Sequence, residues 1–293
     1  MKRIDVIPGD IAKENFGLGN DQWDALTRRI NTIFHSAASI NFNLSLEEAR
    51  SINTNGTAQI LDFADHCHNL DRLIYISTAY VAGMTTNKFY ESDLIAGQDF
   101  ANTYEETKYE AELLIRQSIE KGMPIIVFRP SVISGDFQTG EIVRGNIIFE
   151  IIKKLYDLKF NEFICDDDSS LNIIPINYVI DSIVYISKSK SNEGKTFNIT
   201  NSCNANIKNI IIKCCQALNI DVPIFIPIDR QNTASKLTRR QLYTFVNYIE
   251  NSHVFDDSLT KQALKSSDVV CPIITDDYWE RIVSYCIDQK LFD

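Results

Sequence analysis

Apolar positions along the chain follow two patterns, short continuous runs and longer stretches at helical spacing. The short runs are rich in Ile, Val and Phe and are typical of strands that are buried on both faces of a parallel sheet. These predicted strands are Arg3–Ile7, Thr32–Ser36, Leu73–Ser77, Pro124–Arg129 and Thr196–Thr200. The helical stretches between them are Asp21–Ile30, Leu46–His66, Tyr104–Glu120 and Tyr178–Ser187. This alternation predicts an α/β fold around a parallel sheet.

The pattern changes after Asn201, where strands and helices stop alternating. One short extended piece, Val222–Ile228, lies among predicted helices. These helices are Ile207–Leu218, Lys236–Glu250, Leu259–Leu264 and Asp277–Cys286. We therefore predict a Rossmann-like domain over residues 1–201 and a smaller, mostly helical region on the substrate side over residues 202–293.

Composition narrows the class of protein. The chain has 293 residues, of which 44% are hydrophobic, and this balance excludes disordered and collagen-like proteins. The net charge of −10, without a basic stripe, argues against nucleic acid and anionic membranes as partners. The seven cysteines show no CxxC spacing and predict reduced thiols in a cytoplasmic protein. No apolar stretch reaches the ~18 residues of a membrane span, so none is expected.

Candidate chemistry begins with Tyr104 and Lys108, which share one face of a predicted helix because they are four residues apart. A nearby ammonium group favours phenolate, so we expect Lys108 to lower the pKa of Tyr104 from its usual value of ~10. Such a tyrosine can give a proton to an oxyanion formed by hydride addition. Ser77 and Thr78 end a predicted strand, where open α/β sheets bind ligands.

Further candidates lie on neighbouring elements. Ala37 and Ala38 follow a predicted strand, and their small side chains would let a flat cofactor approach the main chain. Asn53 is an amide inside a predicted helix, which is typical of either a packing compromise or a polar relay. Arg129 and Pro130 end another strand, with Ser131 after them.

Taken together, these segments resemble the extended short-chain dehydrogenase/reductases. Within that superfamily the chain is most similar to the branch of fatty acyl-CoA reductases, male-sterility proteins and carrier-linked thioester reductases. The matching motifs occur in the family's order: GDI at Gly9–Ile11, HSAA at His35–Ala38, NTNGT at Asn53–Thr57, STAY at Ser77–Tyr80, YEETK at Tyr104–Lys108 and RPSVISG at Arg129–Gly135.

The resemblance implies a role for each matching residue. Thr78, Tyr104 and Lys108 would form the catalytic triad, and Asn53 would hold a proton-relay water. Tyr104 and Lys108 would also contact the nicotinamide end of NADP or NAD, with Lys108 on the ribose. The remaining cofactor contacts would come from Asp10, Ile11, Ala37, Ala38, Arg129, Pro130, Ser131 and Val132. The implied reaction, in lipid metabolism, is hydride transfer to the thioester of an acyl-CoA or an acyl carrier protein, which yields an aldehyde or an alcohol.

One departure from the family concerns the glycine-rich turn that receives the cofactor's pyrophosphate. The 11 glycines of this chain form no GxGxxG or GxxGxxG motif. Because the doubly wound strand order is 3-2-1-4-5-6, we predict an N-terminally truncated Rossmann-like sheet without the family's first two strands. Arg3–Ile7 would then correspond to the third strand. Either Arg3–Ile7 pairs directly with Thr32–Ser36, or a second copy in a homo-oligomer or a complementing chain fills the gap, or the fold is compromised. We expect weak or absent dinucleotide binding by this chain alone.

Other functions remain open at this point. A catalytically impaired scaffold that binds an acyl group or a partner chain is one alternative, and an extended epimerase or sterol-type dehydrogenase is another. The cluster at His66–His68 suggests a metal site, but side chains two apart on a helix point in different directions, so no metal is expected. No GxSxG occurs, which argues against a serine hydrolase.

Overall fold

A computed structural model of the protein describes residues 4–85, 87–158, 161–239, 242, 248 and 252–293. Contacts between Cα atoms divide the chain into two compact units, and each unit combines stretches that are distant in sequence. The first unit comprises Met1–Gly83, Ser92–Arg129 and Ser187–Phe197, and the second comprises Met84–Glu91, Pro130–Ile186 and Asn198–Asp293. A functional boundary at residue 201 stays a prediction.

The strands form one larger sheet and several strand pairs. They are β1 (Thr32–His35), β2 (Arg72–Ile76), β3 (Ile125–Pro130), β4 (Val132–Ser134), β5 (Glu162–Ile164), β6 (Ser170–Leu171), β7 (Ile173–Pro175), β8 (Thr196–Ile199), β9 (Ala205–Asn206) and β10 (Ile224–Ile226). The larger sheet has the order β1-β2-β3-β8. Its first pairs are parallel, with Ile33 opposite Leu73 and Leu73 opposite Ile125. The α/β fold class and its parallel sheet are therefore confirmed.

The helices begin and end close to the predicted positions, apart from Ile147–Leu158, which was not among the predicted helices. They are α1 (Asn20–Arg29), α2 (Leu46–His66), α3 (Thr103–Glu120), α4 (Ile147–Leu158), α5 (Ile176–Ile186), α6 (Ile207–Leu218), α7 (Ser258–Leu264) and α8 (Asp276–Asp288). The capping box of α2 fixes its start, because Ser45 Oγ accepts from Glu48 N while the Glu48 carboxylate accepts from Ser45 N. Asn102 caps α3 by accepting from Glu105 N at 3.0 Å.

The core of the first unit lies where its strands meet α1, α2 and α3. Trp23 of α1 packs edge-on against Phe63 of α2, with 4.9 Å between the ring centroids. Ile33 of β1, Tyr75 of β2 and Ile115 of α3 are buried in the same cluster. Fully burying an apolar side chain of this size contributes roughly 1.5–3 kcal/mol, so this cluster fixes α3 on the sheet. The position of α3 matters because it carries Tyr104 and Lys108.

The sequence predicted a strand at Arg3–Ile7 in addition to β1, and the described residues of that segment do not form one. Among the described residues, β1 pairs only with β2. Its Ile33 and His35 are buried, whereas Phe34 is 58% exposed on the other face. The predicted strand Arg3–Ile7 is wrong over its described part, since residues 4–7 have no regular secondary structure and Val6 is 88% exposed. A strand forms only beside another strand, and no described neighbour accepts this segment.

The second unit contains more strand than the sequence predicted. β4 pairs with β7 and β5 pairs with β10, both in parallel, while β6 and β9 are antiparallel. The expectation that only helices and one extended piece follow residue 201 is therefore wrong at β9, and the predicted extended piece forms β10. Strands of two or three residues are too short to show an alternating pattern. Of the predicted helix Lys236–Glu250, residues 236–239, 242 and 248 are helical and the rest lie outside the described residues.

Within the described part of the chain, no helix combines the length and the apolar character that crossing a bilayer requires.

Candidate active site

The candidate site lies in the first unit, where β2 ends beside the first two turns of α3. Thr78 is buried, and its hydroxyl accepts from Tyr80 N at 3.2 Å, which starts a short 3-10 turn at Ala79–Ala82. This turn holds Thr78 at the carboxyl end of β2. Tyr104 stands in the first turn of α3, and its ring contacts Phe42 with 5.8 Å between centroids. Thr78 therefore lies at the predicted edge of the sheet, at the end that binds ligands in this fold class.

Burial raises the pKa of Tyr104 to about 12, although a hydrogen bond with Thr78 acts in the opposite direction. The sequence prediction that Lys108 lowers the pKa of this phenol is therefore wrong. The reason is burial, which disfavours the charged phenolate. At neutral pH Tyr104 therefore keeps its proton.

Lys108 lies deeper in the same unit and is 3% exposed. Its Nζ donates to Ile76 O at 2.8 Å and lies 4.3 Å from the centroid of the Tyr75 ring. Burial lowers the pKa of Lys108 to about 7, while the charge of Glu112 acts to raise it. The bond to Ile76 connects α3 to the end of β2, two residues before Thr78.

Asn53 connects three elements of the first unit. Its Oδ1 accepts from Ser39 N at 2.8 Å, and its Nδ2 donates to Ser39 O and to Thr107 Oγ1. The main-chain carbonyl of Asn53 accepts from Thr57 Oγ1 at 2.7 Å. These contacts join α2 to the loop after β1 and to α3, beside Lys108. The role of Asn53 in holding a relay water stays a prediction.

His35 is a buried residue of the site to which the sequence assigned no role. Its Nε2 lies 3.1 Å from Thr57 Oγ1. The hydroxyl of Thr57 donates its single hydrogen to the Asn53 carbonyl, so Thr57 Oγ1 can only accept from His35. Nε2 of His35 therefore carries the hydrogen and donates it to Thr57 Oγ1. Burial, together with the charge of Lys108, lowers the pKa of His35 to about 3, so the imidazole is neutral. In the sequence, the only signal for His35 was its position as the first residue of the HSAA motif.

Arg129 forms a buried ion pair within the protein. Its guanidinium group is fully buried and binds the carboxylate of Glu112, with Nη2 at 2.5 Å and Nε at 3.0 Å from Oε1. Nη2 also donates to Asp93 O at 2.6 Å. The side chain thus faces a protein carboxylate, and a cofactor contact through its main chain stays a prediction. The sequence analysis missed Glu112, although its position four residues after Lys108 placed it on the same face of α3.

The other predicted cofactor contacts are more scattered. Asp10 is exposed and pairs with Lys13 at 3.5 Å, while Ile11 packs on α2 at Gly56, where an added Cβ would lie 2.9 Å from Ile11 Cγ1. Ala37 is exposed in the loop after β1. The remaining predictions are Ala38, which is partly buried in that same loop, and Pro130, Ser131 and Val132, which belong to the second unit. The structure therefore brings Asn53, Thr78, Tyr104 and Lys108 together within one unit.

The parallel sheet, with its polar residues at the end of β2, defines an α/β protein of Rossmann-like fold. Residues 1–183 match the family model described as male sterility protein, and the chain belongs to this family. The predicted resemblance is thereby confirmed.

Several curated proteins are similar to parts of this chain. Glycine betaine reductase ATRR of Emericella nidulans is 26% identical over 68% of the chain, which spans 16% of that protein. Fatty acyl-CoA reductase wat of Drosophila melanogaster is 25% identical over 62% of the chain, which spans 40% of that protein. The chain thus spans well under two thirds of these relatives.

Solved structures support the same fold. The terminal R domain of the myxalamid PKS-NRPS biosynthetic pathway superposes with a TM-score of 0.83 at 22% identity, covering 97% of this chain and 75% of that one. A thiolation-reductase di-domain from an archaeal non-ribosomal peptide synthetase gives 0.74 at 20% identity, covering 97% and 62%. UDP-glucuronic acid 4-epimerase from Bacillus cereus, in complex with NAD, gives 0.70 at 19% identity, covering 96% and 80%.

Proposed function

We propose that this chain is the reductase part of an enzyme that reduces acyl thioesters with NAD(P)H and releases an aldehyde or an alcohol. The observation that carries the proposal is the arrangement of Thr78, Tyr104 and Lys108 at the carboxyl end of β2. The names of the relatives support reduction, and the thiolation-reductase neighbour supports a carrier-protein thioester beside acyl-CoA as the substrate.

The cofactor would be NADP or NAD, in keeping with the NAD-binding family model, and it supplies the hydride when bound. The residues near its nicotinamide ribose fit. Lys108 Nζ donates one hydrogen bond within the described residues, to Ile76 O, although an ammonium group can donate three. The pyrophosphate end fits poorly, because the sequence has no GxGxxG turn and Gly56 is covered by Ile11.

The side chains of the site would handle the proton and the developing charge. As the thioester carbonyl oxygen becomes negative, Tyr104 gives it the phenolic proton and Thr78 donates a second hydrogen bond. Lys108, held in place by its bond to Ile76 O, would bind the nicotinamide ribose with its remaining ammonium hydrogens. The hydroxyl of the resulting hemithioacetal would then return its proton to the Tyr104 phenolate as the aldehyde carbonyl forms. The carbon–sulfur bond breaks with its electron pair on sulfur, which leaves as the thiolate.

The direct test is a reductase assay on the purified chain. NADPH at high concentration is mixed with a long-chain acyl-CoA, or with an acylated carrier protein, and both NADPH consumption and aldehyde formation are followed. We expect Tyr104→Phe to lower turnover by roughly 10²–10⁴-fold because the proton donor is lost. Tyr109→Phe, on the same helix and packed against Phe100, is the matched control and should retain wild-type turnover. Equal rates for Tyr104→Phe and the wild type would refute the assigned role.

Cofactor affinity is a separate part of this proposal. We expect weak binding of NADPH to the chain alone, because none of the described residues forms a glycine-rich turn for the phosphates. Titration calorimetry measures this directly. A micromolar dissociation constant would contradict the expectation.

A second candidate function is a scaffold that binds an acyl group or a complementing chain without catalysis. The observation in its favour is that β1 pairs only with β2 among the described residues, which leaves its outer edge open. Binding of acyl-CoA without NADPH consumption would support this alternative. Turnover of UDP-glucuronate with NAD would instead favour an epimerase.

A further inference from the structure

Glu112 is a buried carboxylate one helical turn after Lys108, and the proposed reaction leaves it without a role. Tyr104, Lys108 and Glu112 follow one another at intervals of four residues and so lie along one face of α3. The Glu112 side chain has no exposed surface. A carboxylate in such a place is stable only when it is hydrogen-bonded and paired with a positive charge.

The contacts of Glu112 meet both conditions. Arg129 of β3 donates to Oε1 from Nε and Nη2, and its Nε also lies 3.2 Å from Oε2. Ser77 Oγ donates to Oε2 at 2.6 Å. Ser77 directly precedes Thr78, so this bond fixes the end of β2 on α3. The bond from Lys108 to Ile76 fixes the neighbouring residue on the same helix.

The charge of Glu112 acts on Lys108. The titratable groups that face Lys108 are His35 from β1, Tyr75 from β2, and Tyr104 and Glu112 from α3. His35 and both tyrosines are neutral at pH 7, and Asn53 and Thr57 of α2 do not titrate in this range. Arg129 faces Glu112 and adds a positive charge nearby. Glu112 thus supplies the negative charge that favours the ammonium form of Lys108.

We propose that Glu112 is a positioning residue of the reductase site: its carboxylate lies on the Lys108 face of α3, where its charge favours the ammonium form of Lys108, and through Ser77 it holds the strand end that carries Thr78. The catalytic meaning of this inference rests on the proposed function. The charge of Lys108, however, can be measured without substrate or cofactor.

The first test is a titration of Lys108 by NMR, with lysine side chains labelled with ¹⁵N and the signal assigned by its loss in Lys108→Met. We expect the midpoint to fall by about one pH unit or more in Glu112→Gln, because the variant loses a charge but keeps the shape of the side chain. Glu120→Gln removes the same charge from the exposed end of α3 and should leave the midpoint unchanged. A folded Glu112→Gln protein with the wild-type midpoint would overturn the inference.

Two further variants separate charge from position. Glu112→Asp keeps the charge and should lower the Lys108 midpoint less than Glu112→Gln does. If Glu112→Gln does not fold, Glu112→Asp is compared with the wild type instead. A fall of the Lys108 midpoint in Glu112→Asp that equals or exceeds the fall in Glu112→Gln would count against the inference. Ser77→Ala keeps the carboxylate and should lower turnover at every pH without moving the midpoint. Wild-type turnover in Ser77→Ala would overturn the part that concerns Thr78.

The pH profile of kcat/KM is the readout that a merely structural role would not change. If the charged form of Lys108 is required, the decline on the alkaline side should move to lower pH in Glu112→Gln by the same amount as the NMR midpoint. A uniform loss of rate without this displacement would assign Glu112 to folding alone. An inactive wild-type chain refutes the proposed function, whereas an unchanged titration refutes this inference, so the two failures are distinguishable.

Discussion

Burial of Lys108 couples folding to the loss of a proton, so the free energy of unfolding should depend on pH by an amount that can be calculated. Its pKa falls from 10.5 to about 7 on folding, chiefly because of burial. At about 1.4 kcal/mol per pH unit, a fall of this size corresponds to about 5 kcal/mol of destabilisation when the lysine is protonated in both states. Between pH 7 and 10.5 the unfolded chain binds the proton and the folded chain does not. The free energy of unfolding contributed by this group therefore rises with pH across that window.

Lys108→Met is the variant that tests this reasoning, because methionine fills a similar space without a charge. At pH 6 to 7 we expect Lys108→Met to be more stable than the wild type by a few kcal/mol. The gain is less than the full 5 kcal/mol because the hydrogen bond to Ile76 O and the contact with the Tyr75 ring are lost. The difference should shrink by about 2 kcal/mol between pH 7 and pH 9.

The assay is urea unfolding of both proteins at several pH values, followed by circular dichroism. Lys121→Met, at the exposed end of α3, controls for the loss of one positive charge from the chain. If the stability difference between Lys108→Met and the wild type stays constant from pH 7 to pH 9, the pKa of Lys108 does not fall on folding, and the reasoning is refuted.

Three further predictions concern other parts of the molecule. The imidazole of His35 should show ¹⁵N chemical shifts that do not change between pH 5 and pH 8, because its pKa is lowered to about 3; a titration in that range would contradict its burial in neutral form. Ser45→Ala should reduce the free energy of unfolding by about 1 kcal/mol through loss of the capping box with Glu48, as measured by urea titration. Gly140→Ala should destabilise the protein by more than about 2 kcal/mol in thermal unfolding, because Gly140 has φ +74° and its new methyl group would meet the main chain of Arg281.

Local signals in the sequence predicted the longer elements well. Ser45 and Glu48 form the expected capping box, and α2 begins and ends at the predicted residues. The boundaries of α6 also agree, with Asn206 as its cap. Such elements are specified by neighbours within a few residues, which is the range over which a pattern can be recognised.

Elements that depend on a distant partner were predicted less well. Arg3–Ile7 has the composition of a strand, but among the described residues none pairs with residues 4–7. The same limit applies to the site. The spacing of Tyr104 and Lys108 gave their shared helix face, but not the Ile76 carbonyl that takes the ammonium group. Ser77 and Glu112 are 35 residues apart, and only the fold brings them together.

The outer edge of β1, with which none of the described residues pairs, also bears on how the chain behaves at high concentration. Exposed strand edges are usually protected by lysine, proline or a bulge, because unpaired main-chain groups recruit other strands. The sequence of β1, Thr-Ile-Phe-His, contains neither lysine nor proline, and Phe34 is exposed on one face of this strand. Unless another segment covers it, this strand is the place where aggregation of the chain should begin. A charged residue in place of Phe34 should therefore improve the yield of soluble protein.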